Sequence, residues 1–83
     1  MSDPYTELWF YVPDYTLIAE ALQEAYRKTG VEEHSAEPGR VGGSQTDADI
    51  HVRGTDAAVA RLWNWLRDSQ ISGLMLEGRH VHT

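Results

Sequence analysis

The chain has 83 residues, of which 41% are hydrophobic, and a formal net charge of −6. This length predicts one domain, 1–83, whose modest core leaves no room for a large active-site cleft. The absence of cysteine excludes a disulfide framework and a thiolate metal site, and with no long apolar stretch we expect no secretion signal, no membrane span and a cytoplasmic location.

The N-terminal third of the sequence predicts a strand followed by a helix. Residues 6–12 are rich in aromatic and β-branched side chains and stop at Pro13, a pattern typical of a strand, β1. Asp14 is a candidate N-cap, apolar residues recur at helical spacing over 18–26, and Gly30 follows a basic pair. These features predict the first helix, α1.

The next segment predicts an edge strand and a flexible loop. Residues 31–36 are extended but weakly patterned, and Glu32, Glu33 and His34 supply the charge that protects a strand edge, so we interpret them as β2. Residues 37–46 concentrate glycine and proline without apolar periodicity, which predicts a flexible loop.

The C-terminal half predicts a second strand–helix–strand unit. Residues 47–53 alternate strictly between apolar and polar side chains, as a half-buried strand, β3, does. Thr55 is a candidate cap for a helix, α2, whose apolar stripe runs through 57–69. Residues 71–77 resemble a turn into a last strand, β4. The sequence leaves open whether residues 78–83 form a bulge, continue the strand or fray.

This order of elements, βαββαβ, resembles the ferredoxin-like split sandwich. The resemblance implies an α+β fold with a four-stranded antiparallel sheet, β1 and β3 at its centre, and both helices on one face. A topology shared by so many proteins predicts no function by itself.

The uncovered face of such a sheet is the first candidate binding surface. If the apolar residues of β1 face the helices, Trp9 and Tyr11 lie on the opposite face, where β3 adds His51 and Arg53. Exposed Trp and Tyr contribute strongly to interfaces, so this sheet face is predicted to bind a partner. The alternative is that the chain's own loop or C-terminal segment covers these rings.

Two other functions remain open for the same face. It could join two copies in a self-associating homodimer, or bind RNA or a small ligand. RNA-recognition modules, which it resembles in part, stack bases on aromatic side chains of the two central strands. Here β3 lacks such a pair and the chain is acidic, which disfavours nucleic acid.

Acidic residues form the second candidate surface. Residues 1–49 carry ten acids and three bases, or −7, whereas 50–83 carry three acids and four bases, or +1. The acids of the predicted edge are Glu20, Glu24, Glu32, Glu33, Glu37, Asp47 and Asp49. Spaced carboxylates can imitate a phosphate backbone, as in small inhibitors such as phage anti-CRISPR and anti-defence proteins. The alternative interpretation is that these acids form an ordinary solvated face.

The sequence contains no recognisable catalytic or cofactor motif. No nucleophile stands in a pattern that specifies an activating base, and the glycines lack a phosphate-binding context. His80 and His82 share one face of any strand that contains them, but two ligands alone bind a metal weakly. We therefore expect no enzyme, no cofactor and no metal site.

These patterns favour a non-enzymatic interaction domain, an inhibitor or adaptor that binds a basic surface of a partner protein. In this hypothesis Glu32, Glu33, Asp47 and Asp49 accelerate encounter with the partner, because electrostatics mainly sets association rates. The aromatic side chains then prolong the bound state.

Overall fold

The computed structural model describes residues 4–38 and 46–82. The elements are β1 (Tyr5–Val12), α1 (Tyr15–Thr29), β2 (Glu32–Pro38), β3 (Ala48–Gly54), α2 (Asp56–Asp68) and β4 (Met75–His82). The predicted order βαββαβ is therefore confirmed. The predicted loop began two residues too early, because Glu37 and Pro38 belong to β2, where an edge position tolerates proline. The rest of that loop, 39–45, lies outside the described residues.

The four strands form one antiparallel sheet in the order β2-β3-β1-β4. In the register of the central pair, Trp9 lies opposite His51. On the outer side of β1, Trp9 lies opposite Gly78 of β4, and on the outer side of β3, His51 lies opposite Ser35 of β2. The predicted ferredoxin-like arrangement, with β1 and β3 central, is confirmed.

The core fills the space between one face of the sheet and the two helices. Along β1 burial alternates strictly, with Leu8, Phe10 and Val12 buried and the residues between them half-buried. The other buried apolar residues include Ile50 and Val52 of β3, Leu22 and Ala25 of α1, and Val59, Leu62 and Leu66 of α2. Side chains of a strand alternate between the two faces of a sheet. Both described helices pack on the face that carries these buried residues, so neither of them covers the second face.

Two helix ends follow the predicted chemistry and one does not. Gly30 ends α1 in the left-handed conformation at φ 89°, and the Thr55 hydroxyl accepts a bond of 3.1 Å from the Ala58 amide at the start of α2. Asp14 occupies the N-cap position of α1 but makes no capping bond with its side chain. Instead the Tyr15 amide donates to the carbonyl of Thr46 at 2.7 Å, which ties the helix start to the segment before β3.

A bulge interrupts the pairing of each edge strand. In β2 the register shifts between Glu33 and Ser35, so His34 is an extra residue. In β4 Leu76 lies opposite Phe10, while the next paired residue, Gly78, lies opposite Trp9, which leaves Glu77 as the extra residue. Each bulge moves every later side chain of its strand to the other face of the sheet.

The helices are short. α1 has 15 residues and α2 has 13, and among the described residues no helix has the length and apolarity needed to cross a membrane.

Candidate functional site

The sheet face without helices, which we call the open face, carries residues from all four strands. Its described members are Tyr5, Glu7, Trp9 and Tyr11 of β1, Asp49, His51 and Arg53 of β3, Glu32, His34, Ser35 and Glu37 of β2, and Met75, Glu77, Gly78, His80 and His82 of β4. The structure brings all four residues of the predicted sheet face together here. Trp9, Tyr11 and His51 are half-buried, and Arg53 is exposed.

Trp9 lies at the centre of the open face, partly covered by its strand neighbours. Its ring stacks on His51 at a centroid distance of 4.5 Å, and the edge of His34 meets His51 at 4.7 Å. On the other side, a Cβ built on Gly78 would lie 3.7 Å from Cε3 of Trp9, so the glycine leaves the indole uncovered there. Side chains of the sheet hold the indole in place, and its remaining surface faces outward.

Tyr11 is linked to one of the predicted surface acids. Its hydroxyl donates a hydrogen bond of 3.0 Å to Oδ2 of Asp47, which is only 1% exposed. Burial raises the pKa of Tyr11, and the bond to Asp47 raises it further. Asp47 is therefore a buried acceptor and does not belong to the acidic surface on which we placed it.

Glu7 is a residue of the open face that the sequence analysis did not select as a candidate. Its carboxylate lies 3.1 Å from Nε2 of His82 and 3.6 Å from Nε2 of His51, so it connects β4 to β3 across β1. The hydrogen bond with His82 lowers the pKa of Glu7. Burial lowers the pKa of His51, against the opposing effect of Glu7. The alternation of β1 already placed Glu7 on this face, but its partners depend on the order and register of the strands.

The predicted acidic edge is divided between two surfaces. Glu32 and Glu37 of β2 lie on the open face, together with Asp49. Glu33 lies opposite the core residue Val52 and therefore points to the helix side, where Nε2 of Gln23 donates to its Oε2 at 3.5 Å.

The remaining two acids of that edge belong to α1. Glu20 and Glu24 are both exposed on the helix, and Glu24 forms an ion pair with Arg27 one turn away. The set is separated because these two acids lie on a helix and because the alternation of β2 sends Glu32 and Glu33 to opposite faces of the sheet.

The histidines meet on the open face without forming a metal centre. His80 and His82 lie on the same face, with ring centroids 4.3 Å apart. Within 4–38 and 46–82, however, no three histidine or acidic side chains are arranged to hold a metal ion. What the geometry does provide is a surface of aromatic rings, imidazoles and carboxylates, suited to binding.

Comparison with models of known protein families gave no match, and a search of curated proteins found no relative of this chain.

Proposed function

We propose that this chain is a non-enzymatic protein-interaction domain that binds a basic surface of a partner protein through its open face. The observation that carries the proposal is the composition of that face. Carboxylates come from every strand, at Glu7, Glu32, Glu37 and Asp49, with Glu77 of the β4 bulge lining a hollow beside Trp9. Arg53 is the only arginine or lysine among the described residues of the face. Among the described residues of the face, five negative charges against one positive leave −4 when the histidines are neutral.

The aromatic side chains would supply most of the binding energy. Tyr5, Trp9 and Tyr11 are all half-buried, so each still presents ring surface to a partner. Aromatic rings contribute large apolar area, and their faces attract the guanidinium and ammonium groups of arginine and lysine. A face that combines rings with carboxylates therefore matches a partner rich in those two residues.

The surrounding charges would act mainly on the rate of association. Complementary potentials accelerate encounter and disfavour wrong partners, while well-packed rings prolong the bound state. Such a domain is an inhibitor when the basic surface that it covers is the partner's working site, as for nucleic-acid mimics of the anti-CRISPR kind. It is an adaptor otherwise.

The composition of the open face also argues against the two alternative functions. A second copy of the chain would bring the same excess of negative charge to a face-to-face dimer, and like charges oppose that contact. An RNA strand would bring a negatively charged backbone to the same carboxylates. A basic protein surface is the occupant whose charge complements this face.

The proposal is tested with a labelled peptide of alternating lysine and arginine, followed by fluorescence anisotropy at pH 7.5 and low salt, with a glutamate peptide as control. Two charge reversals form a matched pair. Glu32→Lys with Glu37→Lys changes the open face, whereas Glu20→Lys with Glu24→Lys changes α1 by the same net charge. Circular dichroism confirms that both variants are folded.

We expect the open-face reversal to weaken binding by roughly tenfold and the α1 reversal by less than about threefold, because only close charges couple strongly. Trp9→Leu should also weaken binding, with little change in its salt dependence. Equal losses in the two reversal variants, or no binding of the basic peptide by the native chain, would refute the proposal.

A further inference from the structure

All four histidines of the chain lie in one connected row on the open face. The row comprises His34, His51, His82 and His80, with Glu7 at its middle, and we call it the histidine row. The rings of His34 and His51 meet edge to face at 4.7 Å, and those of His80 and His82 at 4.3 Å. The Glu7 carboxylate joins the two pairs through the contacts of 3.6 Å and 3.1 Å.

The fold brings these imidazoles together from three strands. His51 faces outward through the alternation of β3, whereas His80 and His82 do so because the bulge at Glu77 shifts the frame of β4. His34 is itself the extra residue of the β2 bulge. Two of the four imidazoles, those of His51 and His82, contact the Glu7 carboxylate, and each of the other two adjoins one of them.

Other charged and titratable groups also face the row. Tyr5 of β1 stacks on His82 at 4.4 Å. Arg53 and Asp49 flank His51 along β3, and Glu32 of β2 lies opposite Arg53. The row thus lies inside the surface to which the proposed function assigns partner binding.

We propose that binding of a basic partner to the open face is released by mild acidification, because protonation of the histidine row places positive charge in the binding surface. This inference rests on the proposed function and names its regulation. Histidine is the side chain whose charge ordinarily changes between pH 5 and 8. Protonation of the row adds positive charge to a face whose described residues otherwise carry a net charge of −4, and so weakens its attraction for lysine and arginine.

The surroundings of Glu7 and His51 affect this response in opposite ways. The His82 hydrogen bond lowers the pKa of Glu7, so this carboxylate keeps its charge at mildly acidic pH. Burial lowers the pKa of His51, so this imidazole gains its charge at a lower pH than an ordinary histidine does.

The test repeats the anisotropy titration with the lysine–arginine peptide at constant ionic strength from pH 7.5 to 5.5. The native chain is compared with the triple variant His34→Gln, His80→Gln and His82→Gln, which keeps the packing of His51 on Trp9. Glu20→Lys with Glu24→Lys is the control for charge away from the face. Circular dichroism at each pH, and NMR titration of the imidazole protons, confirm that the chain stays folded and that the histidines protonate.

We expect the native chain and the α1 control to lose affinity by roughly tenfold or more over this range, since each linked proton changes the apparent constant by up to about tenfold per pH unit. The triple variant should lose less than about threefold. Tight binding at pH 7.5 with a flat pH profile, or an equal loss in the triple variant, would overturn this inference and leave the proposed function standing. No binding at either pH would overturn both.

Discussion

The hydrogen bond between Tyr11 and Asp47 gives a sharp test of how the open face is held in place. Tyr11→Phe keeps the ring and removes the hydroxyl that donates to the buried carboxylate at 3.0 Å. A hydrogen bond to a charged group contributes about 1.5–3 kcal/mol. In a domain of this size each kcal/mol shifts the melting temperature by about 4–8 °C, so we expect a loss of roughly 6–24 °C.

The measurement is thermal and urea unfolding followed by circular dichroism, with Tyr5→Phe as the matched control. Tyr5 lies on the same strand and face, is also half-buried, and stacks on His82, but its hydroxyl makes no hydrogen bond within the described part of the chain. Its replacement should change the free energy of unfolding by less than about 0.5 kcal/mol, as is usual where no specific contact is lost. If the two variants lose the same stability, the reasoning about Asp47 fails.

Three further changes test other parts of the fold. Gly73→Ala should destabilise the chain more than Gly30→Ala. Both glycines have a positive φ, but only the Cβ added at Gly73 would clash with Pro13, whose Cγ would lie 2.7 Å away. Equal melting temperatures of the two variants would contradict this expectation. Burial raises the pKa of Tyr26, so stability should fall as pH rises past 10.0, and Tyr26→Phe should flatten that decline in urea unfolding. Because the pKa of Glu7 is lowered in the folded chain, its ionised carboxylate stabilises the fold above pH 4.5, and this contribution is lost as the pH falls below that value. In acid unfolding Glu7→Gln should therefore make stability depend less on pH, and an unchanged pH profile would contradict this expectation.

Local patterns were sufficient to predict the element order and the face on which Trp9 lies. The alternation of β1 and β3 is strict, so two-residue periodicity assigned each side chain to its face. The edge strands lacked such a pattern. In β2 and β4 the bulges at His34 and Glu77 break the alternation, and only pairing with a neighbouring strand reveals them.

The chemistry of the candidate site was harder to predict because its contacts are distant in sequence. Glu7 and His82 are 75 positions apart, and Tyr11 and Asp47 are 36 apart. Their meeting depends on the order and register of three strands. The grouping of acids into one edge failed for a simpler reason, since neighbours such as Glu32 and Glu33 must point in opposite directions along β2.

The extra residue in β4, Glu77, determines which side chains of that strand lie on the outer surface of the sheet. If Glu77 were absorbed into regular pairing with Trp9, the strand would slip by one position, and Arg79 and Val81 would replace His80 and His82 on the outer surface. The same sequence of 83 residues would then place a guanidinium that is always charged and an apolar isopropyl group where two imidazole rings now lie. The acid response that we propose is thus encoded in the offset between two strands as much as in the number of histidines.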